Sequence, residues 1–555
     1  MKRINLLFLF FFLIIPSFSA GEDLYEDQLN KGIRNSEPYS YLLIQQAKAN
    51  SAQAKNILRE AIRYSPDLPA GYFELSKANF SFKPEAVFEA FDYMIQGITA
   101  YQRNFWWSFM MIASLFASIF LSFTVSILIL IMIRLPKDIP LFSHDMKEIK
   151  SKVLLLLALV FAVFGPLYLL GGLLIIISFY MKKWDRIVLY LYFLFLLITP
   201  WLLNTVSLFF NAPASGELKA IVQVNESKGN KYALSLLKGK NDPVELFSYA
   251  LALKREGRYS EAIDIYNKLI AAKPDPRAYN NLADCYVAIR NLEKAEELYK
   301  KSNEMKPLPS TLYNLSQIYR ETLDFDKGEE YFLSAQRLDH DAVSRFRSIA
   351  GRNPNRFVID EGLPVVTLLD YAKKKTSRTS TVGLSPVPPV IMTVIALLMA
   401  VLFYILDQHF KTWAYRCNRC GKILCSKCEK HILWGRMCLQ CYRSLVKLDE
   451  LDAKERIAKL LTVYEYQKKK RDIIKVLSFV IPGSGQIYAG NILSGLLYLW
   501  LFLFFLSIPI TNSIFVIGLS TFSHFWLNIS SIFLMVVVYV VSNIITRRRL
   551  AKGWL

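Results

Sequence analysis

Residues 243–341 contain one pattern that is repeated three times and that specifies how this part of the chain folds. The copies read PVELFSYALALKREGRYSEAIDIYNKLIAAKPD (243–275), PRAYNNLADCYVAIRNLEKAEELYKKSNEMKPL (276–308) and PSTLYNLSQIYRETLDFDKGEEYFLSAQRLDHD (309–341). Aligned, they place a small residue at Ala250, Ala283 and Ser316 and at Ala262, Ala295 and Gly328, an aromatic residue at Tyr266, Tyr299 and Phe332, and a proline at Pro274 and Pro307. Small residues let two antiparallel helices touch, aromatic rings fill the neighbouring space, and proline ends the second helix. The pattern predicts stacked helix pairs.

The period of about 33 residues, with its small, aromatic and proline positions, resembles the tetratricopeptide repeat (TPR). The resemblance implies a TPR solenoid whose concave groove binds peptides or partner proteins. A solenoid that serves only as a spacer is the alternative. Residues 54–100 resemble a degenerate copy of the same repeat, in which 58–62 lead to Pro66 and then to 71–75.

Three residues of the repeats are candidates for the groove, Tyr279, Asn280 and Asn314, because repeats of the carboxylate-clamp type place asparagine and lysine there. The chain lacks a full clamp, so the resemblance assigns no ligand residues. Cys285 stands beside Tyr286 on a repeat helix and is expected to be a buried small residue. A reactive thiol is the alternative reading of Cys285.

The composition excludes a purely soluble enzyme. Hydrophobic residues make up 53% of the 555 residues and charged residues 20%, against about 45–50% and about 25% in soluble domains. A disordered chain is excluded as well, since disorder requires low hydrophobicity. The apolar residues lie in six blocks, at 105–133, 153–180, 187–210, 390–406, 493–510 and 525–545. Most have bilayer-spanning length, and a β-barrel would lack such runs. We therefore expect an all-α, multi-span helical membrane protein.

The net charge of +21 is expected to set topology, because lysine and arginine collect on the cytoplasmic side of membrane proteins. Nucleic acid is not an expected partner. Residues 1–19 have the form of a signal peptide: Lys2 and Arg3, an apolar run over 5–15, Pro16, and small residues before a cut after Ser19. An uncleaved anchor helix is the alternative. Both place residue 21 onward outside the cytoplasm.

The block 153–180 decides the side of most of the chain. Basic residues flank it on both sides, and Gly165 and Pro166 stand in its middle. Both flanks can be cytoplasmic if the block is a re-entrant hairpin, which a central Gly-Pro permits. The TPR region is then extracytoplasmic and the cysteine cluster cytoplasmic. One straight tilted span is the alternative. Lys373, Lys374, Lys375 and Arg378 argue against the hairpin topology, since they would lie on the outer side.

Six cysteines form three Cys-x-x-Cys pairs within 25 residues. The pairs are Cys417 with Cys420, Cys425 with Cys428, and Cys438 with Cys441, and His431 lies between the last two. Thiolates this close repel one another unless a cation such as zinc holds them. An iron–sulfur or rubredoxin-like iron site is an alternative. A disulfide set is another, but it requires an oxidising compartment.

The spacing resembles the second half of a FYVE-type zinc finger, a cross-braced fold in which alternate pairs share a metal. The resemblance implies that Cys417, Cys420, Cys438 and Cys441 bind one structural Zn²⁺. Cys425 and Cys428 lack the family's first pair as partners, so His431, and His409 as a further guess, are candidates to complete a second site. The family's basic lipid-binding patch is reduced to Arg416, and phosphoinositide binding is not predicted.

Two elements follow the cysteines. Residues 444–472 read as a charged amphipathic helix, which either lies on the inner leaflet, pairs with a partner helix, or packs on the zinc knuckle. The motif Pro482-Gly483-x-Gly485-Gln486-x-Tyr488-x-Gly490 then opens a segment that resembles a small bacterial two-span membrane domain. Gln486 and Tyr488 are expected to serve packing, with a polar site as the alternative.

The expected organisation has eight parts. They are a signal peptide (1–19), an extracytoplasmic helical region (20–104), a membrane region (105–210), an extracytoplasmic TPR domain with linker (211–388), a transmembrane helix (389–407), a zinc-binding knuckle (408–443), a charged amphipathic helix (444–472) and a C-terminal two-span domain (473–555).

The chain contains no Gly-Lys-Ser/Thr phosphate loop, no His-Glu-x-x-His and no Gly-x-Ser-x-Gly, so an enzyme is not expected. The leading hypothesis is a bacterial inner-membrane scaffold that binds a protein partner through its repeats and assists assembly or regulation of an envelope or secretion complex. One alternative is a non-catalytic subunit of a membrane enzyme or transporter. The other is a metal or redox sensor that signals across the membrane.

Overall fold

The computed structural model describes residues 24–145, 160–377, 388–409, 414–425, 437–446, 452–514 and 525–552. These residues are almost entirely helical, which confirms the expected all-α fold. They divide into two compact units. The first contains residues 24–110 and 208–377, and the second contains 111–145, 160–207 and the described residues from 388 onward. The predicted signal peptide lies outside the described residues.

The N-terminal region of the first unit is a run of short helices. They are α1 (Leu24–Asn30), α2 (Glu37–Ala49), α3 (Ala54–Tyr64), α4 (Pro69–Asn79) and α5 (Pro84–Ala100). Glycine allows these helices to pack closely: a Cβ at Gly97 would lie 2.8 Å from the ring of Phe73. A short 3₁₀ turn, Tyr101–Arg103, leads to the first long apolar helix.

Three apolar helices follow: α6 (Phe105–Asp145), α7 (Pro166–Ser178) and α8 (Ile187–Asn211). Helix α6 runs past the predicted end at 133, because Arg134 and Asp138 form an ion pair of 2.7 Å one helical turn apart. Helix α7 begins only after Gly165, whose φ of +118° suits glycine. Residues 160–180 are therefore not one straight helix. The prediction that the block 153–180 is a re-entrant hairpin, which enters the membrane and returns to the same side, stays a prediction.

The repeats form helix pairs in the first unit. The helices of the three repeats are α11 (Pro243–Arg255), α12 (Tyr259–Ala272), α13 (Pro276–Ala288), α14 (Leu292–Met305), α15 (Pro309–Glu321) and α16 (Phe325–Leu338). Helices α9 (Gly216–Asn225) and α10 (Lys231–Leu236) precede them, and α17 (His340–Ile349), α18 (Pro354–Phe357) and α19 (Val365–Ser377) follow. The aligned residues Ala250, Ala283 and Ala295 are fully buried, as are Tyr266 and Tyr299. The small and aromatic positions therefore form the contacts between the helices of each pair.

The remaining elements belong to the second unit. They are α20 (Pro389–His409), β1 (Tyr415–Arg416), β2 (Ile423–Leu424), α21 (Leu439–Leu445), α22 (Ala453–Val480), α23 (Ser484–Ala489), α24 (Ile492–Ile514) and α25 (Phe525–Ala551). Within this unit Ile127, Tyr192, Met399 and Leu499 share one buried apolar core. The charged helix expected over 444–472 differs in extent, because α22 begins at Ala453 and continues through the expected boundary to Val480.

Five helices among the described residues are long and apolar enough to cross a membrane by length and composition: α6, α8, α20, α24 and α25. Helix α7 is shorter, with 13 residues. The five long helices correspond to five of the six predicted apolar blocks, and α7 lies within the sixth, 153–180, of which the structure describes residues 160–180. The side on which each connecting segment lies is a separate question.

Candidate functional site

The first candidate site is a cluster of four cysteines. The sulfur atoms of Cys417, Cys420, Cys438 and Cys441 all lie within 4.8 Å of one another. Cys417 follows strand β1, Cys438 caps helix α21, and Cys441 lies inside it. Three of the four are fully buried. The structure therefore brings together the four ligands that the zinc-finger resemblance implied.

The local sequence builds the turn that presents the first two sulfurs. Strands β1 and β2 pair antiparallel, with Tyr415 opposite Leu424. Between them the Cys417 N–H donates to the Lys422 carbonyl at 2.8 Å, and the Gly421 N–H donates to the Cys417 carbonyl at 3.0 Å. Gly421 has a φ of +77°, a conformation that costs little only for glycine. The Gly of Cys-x-x-Cys-Gly is thus required by the backbone.

Backbone N–H groups point at the sulfur atoms. The Cys438 N–H donates to the Cys417 sulfur, and the Cys441 N–H donates to the Cys438 sulfur, both at 3.4 Å. Burial opposes ionisation of Cys417, but backbone N–H groups of Cys420 and Cys438 lower its pKa to about 7. Burial raises the pKa of Cys438 and of Cys441. Four thiolates would therefore require a cation between them.

The spacing of the sulfurs fits a tetrahedral metal. Bonds of about 2.3 Å from zinc to four sulfurs place neighbouring sulfurs about 3.8 Å apart. The Cys420 and Cys438 sulfurs are 3.7 Å apart. Four sulfur ligands leave no open coordination position, which is typical of a structural site. The cluster could therefore hold a metal ion with a structural role.

The predicted second site is not assembled in the described residues. Cys425 follows β2 and is not among the four gathered cysteines. Cys428 and His431 lie outside the described residues, and the side chain of His409 is likewise not described. A second metal stays a prediction.

Helix α22 packs across the cysteine turn. Val463 lies against the buried cysteines, and a Cβ at Gly421 would overlap the ring of Tyr466. The Gln467 amide donates to the carbonyls of Asn418 at 2.8 Å and Arg419 at 2.9 Å. Of the roles considered for the charged helix, packing on the knuckle is the one that these contacts support.

The second candidate site is the inner surface of the repeats, which holds an extended segment of the same chain. We call residues 358–363, with the sequence VIDEGL, the strap. Asparagines contact its main chain at every second residue. Asn314 bonds both the Ile359 N–H (2.7 Å) and its carbonyl (2.9 Å), Asn281 bonds both groups of Glu361 (2.8 Å each), and Asn225 accepts from the Leu363 N–H (2.8 Å). We call Asn225, Asn281 and Asn314 the asparagine ladder.

One strap side chain enters a pocket of positive charge. Asp360 accepts from Arg255 at 2.8 Å and from Arg34 at 3.2 Å, and the Lys254 ammonium lies 3.4 Å away. Burial alone would raise the pKa of Asp360, but the charges of Arg255, Lys254 and Arg34 hold that pKa well below its ordinary value. Lys254 also lies 3.3 Å from Asp284, a carboxyl whose pKa burial raises to about 7.

The sequence analysis identified part of this surface. Asn280 and Asn314 both donate to the Ile359 carbonyl, at 3.0 and 2.9 Å, whereas Tyr279 is half-buried. Asn281 and the strap itself were missed. A signal was present, since the repeat alignment places Ser248, Asn281 and Asn314 at one register. Cys285 is fully buried, as expected, and burial raises its pKa.

The residues of the C-terminal motif serve packing. Gln486 is fully buried, donates to the Thr546 hydroxyl at 3.1 Å and accepts from the Ser494 hydroxyl at 2.8 Å. The Lys137 ammonium stands over the Tyr488 ring at 4.6 Å. The structure thus offers contacts for both residues within the second unit and favours the packing interpretation.

Comparison with known families identifies the repeats at 249–307 and 309–341. Sequence profiles described as tetratricopeptide repeat match residues 249–307 and 309–341. The matches do not include residues 54–100, whose relation to the repeat stays a prediction. A comparison with curated proteins found no match. The chain therefore contains tetratricopeptide repeats, modules that generally mediate contacts between proteins.

Proposed function

We propose that this protein is a non-catalytic scaffold of the bacterial inner membrane that binds a partner protein through its repeats. The observation that carries the proposal is the presence, in one chain, of matched tetratricopeptide repeats and five helices of membrane-spanning length and composition. The repeats supply a binding module and the helices an anchor. Such a protein would assist assembly or regulation of an envelope or secretion complex.

The N-terminal helices and the repeats would lie on the same side of the membrane. Within the first unit the Lys228 ammonium lies 2.8 Å from Glu37 and 2.5 Å from Glu226, and the Asn35 amide donates to the Glu226 carbonyl at 2.8 Å. Buried polar contacts of this kind cannot form across a bilayer. Helices α6 and α8 would therefore leave and return, and the block between them would make no net crossing.

One of the lysines that argue against this topology, Lys375, has partners in the first unit. Lys375 lies 2.8 Å from Glu217 and 3.0 Å from Glu245. These ion pairs attach α19 to α9 and α11. The charge of Lys375 is therefore accounted for by packing, so it does not argue against an extracytoplasmic position for the repeats.

The cysteine cluster would hold one Zn²⁺ in a structural role. Cys417, Cys420, Cys438 and Cys441 are the residues that would bind it. The ion would neutralise their negative charge and fix the turn between β1 and β2 against α22. No residue of the cluster is assigned to catalysis.

In vivo photocrosslinking tests the scaffold function. A photoreactive amino acid replaces Leu323 or Phe325, which are exposed at the turn into α16, and Trp184, which is exposed in the second unit, as the control position. We expect a discrete crosslinked protein from the two repeat positions, recovered in the membrane fraction. Recovery of the chain in the soluble fraction would contradict the anchor, and identical crosslinks from Trp184 would contradict a specific partner.

A further inference from the structure

The strap occupies the repeat groove in the way that a bound peptide would. It is extended where it leaves α18, with Val358 at φ −116° and ψ 149°. The asparagine ladder bonds the main chain of residues 359, 361 and 363. Neighbouring side chains of an extended segment point to opposite sides, and Asp360 accordingly enters the pocket of Arg255 and Lys254.

The recognition combines two kinds of contact. Hydrogen bonds to a peptide main chain supply affinity without regard to sequence, and pockets for alternate side chains supply specificity. The ladder supplies the first kind. The pocket supplies the second, because its buried ammonium and guanidinium groups require a carboxylate. Glu361 adds a weaker acidic preference, since it accepts from the Ser310 hydroxyl at 2.5 Å and lies 3.9 Å from the Arg277 guanidinium.

A glycine is required where the strap passes α9. A Cβ at Gly362 would overlap the carbonyl oxygen of Asn225. An occupant of this groove must therefore present a glycine, or a change of direction, two residues after its acidic anchor. These features describe one class of ligand: an extended segment with the pattern apolar residue, Asp, acidic residue, Gly.

We propose that the repeat groove is a binding site for an extended acidic segment of a partner protein, and that the strap is its built-in competitor. The inference rests on the proposed function and names the kind of partner that the repeats accept. In the free protein the strap fills the site. A partner segment of the same chemistry replaces it and releases residues 358–363 from the groove.

Fluorescence anisotropy on the full chain in detergent tests the competition. The probe is a labelled peptide of residues 354–365, PNRFVIDEGLPV. The variant Gly362→Ala should bind it at least tenfold more tightly than the unaltered chain, because the clash with Asn225 weakens the resident strap. Gly216→Ala is the matched control: its Cβ would meet only Leu236, at 3.7 Å, so it should bind like the unaltered chain.

Two changes test the contacts themselves. A peptide with Asn in place of Asp360 should bind the Gly362→Ala chain at least tenfold more weakly than the original peptide. Adding Asn281→Ala to Gly362→Ala should weaken binding to a similar degree, because Asn281 bonds both main-chain groups of Glu361. Thermal unfolding by circular dichroism shows whether each variant is folded.

Hydrogen exchange on the unaltered chain gives an independent readout. Excess peptide should accelerate exchange of the Ile359 and Glu361 amides, whose acceptors the peptide would take over. The proposal is wrong if folded Gly362→Ala does not bind the peptide, or if it binds no more tightly than the unaltered chain. Because the probe is the chain's own sequence, these results do not depend on recovery of a natural partner by crosslinking.

Discussion

At the scale of single residues, the buried charges of the first unit determine how it responds to mutation. Asp360 is buried against Lys254 and Arg255. Removing one member of a buried ion pair leaves the others without a counter-charge, which costs about 3–5 kcal/mol. We expect Asp360→Asn to lower the free energy of unfolding by roughly this amount, whereas Asp326→Asn on the exposed face of α16 should change it by less than about 0.5 kcal/mol. Chemical denaturation measures both.

The pH dependence of this contribution has a defined sign. The pKa of Asp360 is held well below its ordinary value, so the stabilisation is present above the ordinary aspartate pKa of about 3.9 and is lost only as pH falls further into the acid range. Equal stability of both proteins at neutral pH would contradict the buried pairing.

The contribution of Glu226 to stability depends on pH with the opposite sign. Burial raises the pKa of Glu226 to about 7. The Lys228 ammonium offsets this only in part, since it is shared with Glu37. The unfolded value is about 4.3. The stabilisation is therefore complete below the unfolded value and is lost as pH rises through 7, by about 4 kcal/mol at most. We expect the melting temperature of the chain to fall between pH 5 and 8, and to fall less in Glu226→Gln. An unchanged slope in the variant would contradict the assignment.

The cysteines allow a matched test of the metal centre. Cys438→Ser removes one of the four gathered sulfurs, whereas Cys285→Ser changes a buried thiol of the first unit. We expect about one zinc per purified chain, strongly reduced in Cys438→Ser and unchanged in Cys285→Ser. Mass spectrometry of the metal content decides this. Iron in place of zinc would correct the identity of the metal, and equal metal content in both variants would contradict the site.

At the scale of elements, the glycines of the C-terminal motif lie where the chain passes close to helix α24. Gly483 has a φ of +83°, and a Cβ there would overlap the carbonyl oxygen of Gly495 on α24. Gly490 also has a positive φ, of +95°, but nothing lies within 4 Å of its Cβ position. Substitutions at Gly483 and Gly490 can therefore distinguish the effect of a steric clash from that of backbone strain alone.

We expect Gly483→Ala to reduce the yield and thermal stability of the detergent-purified chain much more than Gly490→Ala. The first carries both a clash and strain, and the second only the strain, of about 1 kcal/mol. Fluorescence-detected gel filtration after heating measures the difference. Equal losses would show that α24 does not approach Gly483 closely.

At the scale of the whole molecule, topology follows from contacts between distant parts of the chain. The polar contacts of Asn35 and Lys228 join the N-terminal helices to the segment after α9. We expect cysteines introduced at Lys55, exposed on α3, and at Asp326 to react with a membrane-impermeant maleimide in intact cells. A cysteine at Lys454 should react only after the membrane is opened.

Mass spectrometry identifies each labelled peptide, so the native cysteines do not interfere. Opposite reactivity at Lys55 and Asp326 would contradict the common side. Reaction at Lys454 in intact cells would place the cysteine cluster outside the cytoplasm, where disulfides compete with a metal.

Short-range sequence patterns were enough to predict several features of this protein. The period of 33 residues specified the helix pairs, because each pair is made by positions of one repeat and its neighbour. The Cys-x-x-Cys spacing predicted a metal site, and four of these cysteines lie close enough together to hold an ion. Their first turn is closed by local hydrogen bonds such as that from the Gly421 N–H to the Cys417 carbonyl. The apolar blocks likewise specified the long helices, with end positions shifted where Arg134 and Asp138 extend α6.

The segment that fills the repeat groove became apparent only from the folded chain. The strap has no period and no motif, and its bonds to the ladder join residues 45 to 138 positions apart. The same holds for the contact of Asn35 with Glu226, which are 191 residues apart. An extended segment is held by whichever donors and charges the folded repeats present to it. That complementarity exists only once the helices have packed, so no local pattern in the sequence predicts it.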